Sequence, residues 1–155
     1  MRLWRVSPGR EFHSESSRKY GARWNKPGTD VIYAAATLAL ATLEFLVHVD
    51  RSRAPGEVMA HFVDVPDDVR IEDVKPASLP EHWDRHPGPE ELQELGSAWA
   101  DARTTLLFAL PPAVLRVDRE LIPAERNFLV NPAHPDFARL RPSLVPFALD
   151  PRMWK

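Results

Sequence analysis

The sequence predicts an α+β fold in one domain spanning residues 1–155, and three observations carry that reading. Two segments, 37–50 and 89–102, have helical length and patterning, and the other apolar residues fall in short runs that suit strands. These helices do not alternate with the strand runs as they would in repeated βαβ units. Sixteen prolines against six glycines break the second half into short pieces, because proline is excluded from helix interiors and central strand positions. A helical bundle is thereby disfavoured.

In chain order, "RLWRVS" (2–7) alternates and reads as a strand, with Leu3 and Arg5 on one face and Trp4 and Val6 on the other. An arginine on a covered face needs a partner. A polar stretch runs to residue 29 and ends in the turn chemistry of "KPGTD", after which "VIYAA" (31–35) reads as a short strand. The helix Thr37–Asp50 spreads Leu38, Leu43, Phe45, Leu46, Val47 and Val49 around most of its circumference, which predicts a largely buried helix. Its polar residues Thr37, Glu44 and His48 gather in one narrow stripe with the small Ala41 among them, a pattern suited to lining a cleft. "GEVMAHFVDVP" and "VRIEDV" read as strands. "GPEELQELGSAWADA" opens with Pro89 and an acidic first turn and reads as a helix to Ala102. Strand candidates "TTLLFAL", "AVLRVD", "NFLVN" and "LVPFAL" follow, with a short helix around "HPDFARL".

With 44% hydrophobic and 27% charged residues, the composition is that of a chain able to fold alone. A net charge of -2 lacks the surplus of Lys and Arg that a broad nucleic-acid or anionic-lipid surface requires. The absence of cysteine excludes disulfides, a thiolate nucleophile and a Cys-based zinc site, and suits a reducing compartment. "MRLWRVSPGREFHSE" lacks the apolar core of a signal peptide, and no run reaches the roughly 18 apolar residues of a spanning helix. The expectation is a cytoplasmic protein that contacts neither membrane nor nucleic acid directly.

Among candidate functional residues, Glu44 stands out because a carboxylate on an apolar helix must find donors or a ligand, and His48 one turn on is the nearest candidate donor. Arg23 either forms a surface pair or turns its planar fork to a phosphate or carboxylate. Tyr33 is either a core residue with a satisfied hydroxyl or a platform for a flat ring. No G-x-S-x-G surrounds Ser143, which argues against a hydrolase nucleophile there. His82 and His86 stand four apart in "EHWDRH", but H-E-x-x-H is missing and Pro87 follows, so no metal site is expected. Neither G-x-G-x-x-G nor a P-loop is present, so a nucleotide has to be gripped by side chains.

"LWRV", "YGARWNKPGTDVIYAA", "LALATLEFLVH", "NFLVNPAHPDF" and "RPSLVPFAL", in this order from about residue 2 to 149, resemble the RES-domain family of bacterial toxins, whose partners are Xre-type antitoxins. The family's namesake Arg, Glu and Ser fall on Arg23, Glu44 and Ser143, and its active-site tyrosine falls on Tyr33. The resemblance implies an ADP-ribosyltransferase-like fold of short twisted strands around a cleft, with the Glu44 helix closing it. It implies NAD as substrate, no prosthetic group, and cleavage of the nicotinamide–ribose bond by a glycohydrolase or phosphorylase. Transfer of ADP-ribose to a protein is the alternative, and an inactive module that only binds its antitoxin is a third reading. On this reading Glu44 stabilises the oxocarbenium-like ribose, Arg23 and secondarily Arg5 hold the diphosphate, and Tyr33 stacks on nicotinamide. Ser143 and Asn127 hydrogen-bond the dinucleotide or brace the pocket, and Trp24 and Asn25 complete the "GARWN" wall. Nothing in 78–103 matches a motif of the family.

Overall fold

Alternation in "RLWRVS" does produce a strand, and the apolar runs that follow pair with it. In the computed structural model, which describes residues 1–13, 15–50 and 56–154, the chain forms β1 (Arg2–Ser7), α1 (Glu15–Tyr20), β2 (Ile32–Ala35), α2 (Leu38–His48) and β3 (Met59–Asp64). It continues with β4 (Ile71–Asp73), α3 (Glu90–Ala102), β5 (Leu107–Leu110), β6 (Asn127–Val130) and β7 (Ser143–Pro146). The strands make one sheet in the order β4-β5-β6-β2-β1-β3-β7, antiparallel except for the β4–β5 pair. This is the α+β architecture expected.

The sheet is joined weakly at its middle. β1 and β3 match over six residue pairs, from Arg2 opposite Asp64 to Ser7 opposite Met59, whereas β1 and β2 meet at one, Trp4 opposite Ala35. Past that pair the two strands lack a ladder, and the Arg5 side chain takes its place by donating to the Tyr33 carbonyl at 3.1 Å. That bond is the partner Arg5 needed, although its Nε stays buried without one.

Alternate residues feed two cores. Leu3, Ile32, Ala34, Val63, Leu107, Phe128 and Val130 build the core on one face, closed by Leu140 and Phe137. The opposite face takes both long helices. Val6 and Ala35 pack with Leu40 and Ala41 of α2, and Phe108, Leu110 and Leu129 pack with Leu92 and Trp99 of α3, where the Trp99 and Phe108 rings stack at 5.0 Å.

Several expectations change in detail. α2 begins where Thr37 caps it, its Oγ1 accepting from the Leu40 N–H, but only Leu40, Ala41 and Thr42 of the helix are buried, and Val47 is 61% exposed. The all-round apolar pattern thus overstates its burial. "AVLRVD" is not a strand: β5 already has β4 and β6 on its two sides, and Pro111-Pro112 turn the chain away. α1, hidden in the polar stretch, buries only Ser17 and so leaves no apolar period to read. "HPDFARL" forms a 3-10 helix, Pro135–Arg139, capped by His134.

Candidate active site

Residues 21–29 form a tight turn whose shape dictates where Arg23 points. Gly21 has φ 73°, and a Cβ there would lie 2.9 Å from the Asn25 carbonyl oxygen, so only glycine fits. Asn25 is fully buried and uses all of its side chain internally: Nδ2 donates to the carbonyls of Ser17, Lys26 and Thr29, and Oδ1 accepts from the Tyr33 hydroxyl at 2.7 Å. Trp24 is 3% exposed in the α3 core, and its N–H donates to the same hydroxyl at 3.1 Å. Asn25 therefore spends its side chain, and Trp24 its backbone N–H, on shaping the turn. Arg23, between them and the surface, is half-buried.

α3 and the loop before it hold this turn from outside. Gln93 donates to the Ala22 carbonyl, the Lys26 N–H donates to Ser97 Oγ, and Gly96 lies so close that an added Cβ would sit 1.9 Å from the Trp24 oxygen. Arg23 Nη1 donates to the carbonyls of Trp83 at 2.8 Å and Arg85 at 2.7 Å. The segment 78–103, which matched no motif, is thus the support of the arginine.

Across the face from this turn stands Glu44. Asn127, at the start of β6, donates from Nδ2 to Glu44 Oε1 at 2.6 Å, leaving its own Oδ1 buried and unpartnered. His48, the donor expected from helical spacing, instead bonds the Glu44 backbone carbonyl through Nδ1 at 2.7 Å. Glu44, Arg23 and Tyr33 lie close enough for their charges to act on one another. Burial lowers the Arg23 guanidinium pKa, opposed by the charges of Glu44 and Asp84. Burial raises the Tyr33 phenol well above its ordinary value, so the hydroxyl stays protonated and acts as a donor.

Arg5 reaches this group only through the Tyr33 carbonyl, on the opposite side of the strand. It lines a cleft of about 510 Å³ with Ser7, Gly9, Arg10 and His13, and burial lowers its pKa to about 10, which still leaves it charged at neutral pH. Ser143 stands elsewhere. It shares a row with Asn127, but Ala35, Trp4 and Phe62 lie between them, four strand steps or about 19 Å along the sheet. Ser143 is exposed, and no described contact links it to Glu44, Tyr33 or Arg23.

The arrangement is thus a carboxylate fixed by an amide, a protonated phenol and a desolvated arginine on one side of the sheet, with a second arginine behind. A model of the RES domain matches residues 2–150. The chain belongs to the RES-domain family. It is 36% identical over 136 residues to a protein of Sphingobium sp. (strain YBL2) named Prs ADP-ribosylating toxin, covering 86% of this chain and 80% of that protein. It is also 31% identical over 159 residues to Toxin Res of Yersinia enterocolitica, with 99% of both chains covered. A solved structure of the M. tuberculosis MbcT-MbcA toxin-antitoxin complex shares the fold at a TM-score of 0.74 and 17% identity, covering 99% of this RES-domain chain and 86% of the other.

Proposed function

We propose that this chain is a toxin that breaks the nicotinamide–ribose bond of NAD, and that an antitoxin of the Xre type restrains it by covering the site. The observation that carries the reading is the Glu44 carboxylate, held by Asn127 at 2.6 Å and placed within the field of Arg23 beside Tyr33. The bond from ribose C1′ to nicotinamide breaks with its electron pair leaving on the ring, which departs neutral. Positive charge then develops on the ribose, where a fixed anion stabilises it more than it stabilises the substrate. Water or phosphate bonds to C1′ and releases a proton, and no strong general acid is needed.

Each side chain has a separate task in this scheme. Glu44 orients the ribose and offsets its charge, with its angle set by Asn127. Arg23 takes the diphosphate with the edge of its guanidinium that the loop carbonyls do not use. Tyr33 presents its ring to nicotinamide while its hydroxyl holds the turn. Arg5 braces the strand beneath Tyr33 and adds positive field from behind.

Transfer of ADP-ribose to a protein uses the same pocket, and the name of the 36% identical Sphingobium relative favours keeping that reading in view. Incubation of the purified chain with NAD labelled in its adenylate half separates the two. Free ADP-ribose or its phosphate ester supports cleavage, label on a protein band supports transfer, and unconsumed NAD removes both.

A further inference from the structure

Two arginines from different loops divide three consecutive peptide carbonyls between them. Arg23 Nη1 donates to the carbonyls of Trp83 and Arg85, and Arg116 Nη2 donates at 3.2 Å to the carbonyl of Asp84 between them. Arg116 comes from the segment after β5, the one whose alternation suggested a strand, so its closeness to Arg23 owes nothing to sequence proximity. The loop is anchored from below by Trp83, which packs against the α3 core. Two guanidinium groups facing one short row of oxygens resemble the donor array that a diphosphate needs, with backbone carbonyls in the phosphate oxygens' place.

The charges around Arg116 fit an exchangeable partner better than a structural one. Its Nε lies 3.6 Å from Asp84 Oδ2, beyond hydrogen-bond distance, and the Arg116 side chain is 62% exposed. An ion pair that long and that open to water holds weakly. Glu44, the other carboxylate near Arg23, is already engaged by Asn127. Arg116 acts on Arg23 as a like charge, so the two together favour an anion of more than one negative charge.

We propose that Arg116 is the second diphosphate-binding residue of this site, and that Asp84 is its internal placeholder, displaced when a dinucleotide enters. The proposal rests on the reading of the site as an NAD site. A loop brace and a ligand switch make different predictions for Asp84. If Arg116 only ties down the loop, it does so through the Asp84 carbonyl, which Asp84→Asn keeps, so Arg116→Ala binds NAD more weakly and Asp84→Asn binds it no more tightly than the parent. If Asp84 competes with the ligand, neutralising it frees Arg116 and binding tightens.

The experiment is calorimetric titration of NAD into the Glu44→Gln protein, expected to turn the dinucleotide over slowly enough to be titrated, and into the same protein carrying Arg116→Ala or Asp84→Asn. The expected result is about tenfold weaker binding for Arg116→Ala and severalfold tighter binding for Asp84→Asn. Nicotinamide riboside, which lacks the diphosphate, is expected to bind all three proteins alike. Equal NAD affinity in parent and Arg116→Ala, or no tightening in Asp84→Asn, overturns the proposal while leaving the NAD site standing. No NAD binding by either the Glu44→Gln parent or the unmodified chain overturns the NAD site and this proposal with it.

Discussion

At the scale of single residues, the sequence makes Glu44 conspicuous because carboxylates are rare on apolar helices, but it names the wrong partner. Helical spacing pointed to His48, the group one turn on. The ring took the nearer backbone carbonyl, and the carboxylate went to Asn127, eighty-three residues away. No local pattern encodes that contact. Glu44→Gln keeps the shape and the reach to Asn127 while removing the charge, so turnover of NAD should fall by about 10²- to 10³-fold with the melting temperature unchanged. A rate assay on the folded variant checks this. Tyr33 was legible as either ring platform or satisfied core hydroxyl, and the structure shows its hydroxyl satisfied by Trp24 and Asn25. Tyr33→Phe strands those two buried groups but leaves the ring. Its expected cost is about 1–3 kcal/mol of stability by urea unfolding, with NAD consumption retained at temperatures where the variant stays folded. Loss of activity without loss of stability would instead assign the hydroxyl to the chemistry.

At the scale of elements, the strands and helices with clear periods were legible, and those set by context were not. The helix at 89–102 was readable from its proline and acidic first turn, and α3 forms there with Arg103 as a left-handed C-cap. Its purpose was hidden, since its contacts run to a turn about seventy residues earlier through Gln93, Ser97 and Gly96. "AVLRVD" misled because alternation describes a strand only where the chain runs along a neighbouring strand, and Pro111-Pro112 turn it away from β5. Gly96 permits the closest approach between α3 and the Arg23 turn. An alanine there meets backbone rather than a flexible side chain, so helix and turn must separate. Gly96→Ala should cost at least about 1–3 kcal/mol by the urea midpoint, despite alanine's better helix propensity, and should weaken NAD binding by moving Arg23. A stabilised variant would mean that the helix does not press on the turn.

At the scale of the whole molecule, the α+β class was visible in the order of its elements, but the weak seam at β1 and β2 was not, because each strand looks complete in isolation. The outer half, β1, β3 and β7, is tied down where the chain leaves β1. There the buried His61 of β3 bonds through Nε2 to the Gly9 carbonyl at 2.9 Å and to Ser7 Oγ at 3.1 Å. Burial lowers the His61 pKa from 6.5, and the nearby Arg5 charge lowers it further, while the Gly9 carbonyl raises it. Arg5 and the ring of Phe12 face the imidazole from the neighbouring segments. The unfolded chain therefore takes up a proton more readily than the folded one. Stability from this group is complete above about pH 6.5 and is lost as the pH falls from there toward the lowered folded value. The urea midpoint of the unmodified chain should decline as the pH is taken from 7 to 5, and His61→Gln, which keeps a donor for the Gly9 carbonyl but does not titrate, should remove part of that decline. Parallel pH profiles for the two proteins would show that the proton is taken up elsewhere and that His61 does not couple acid to stability.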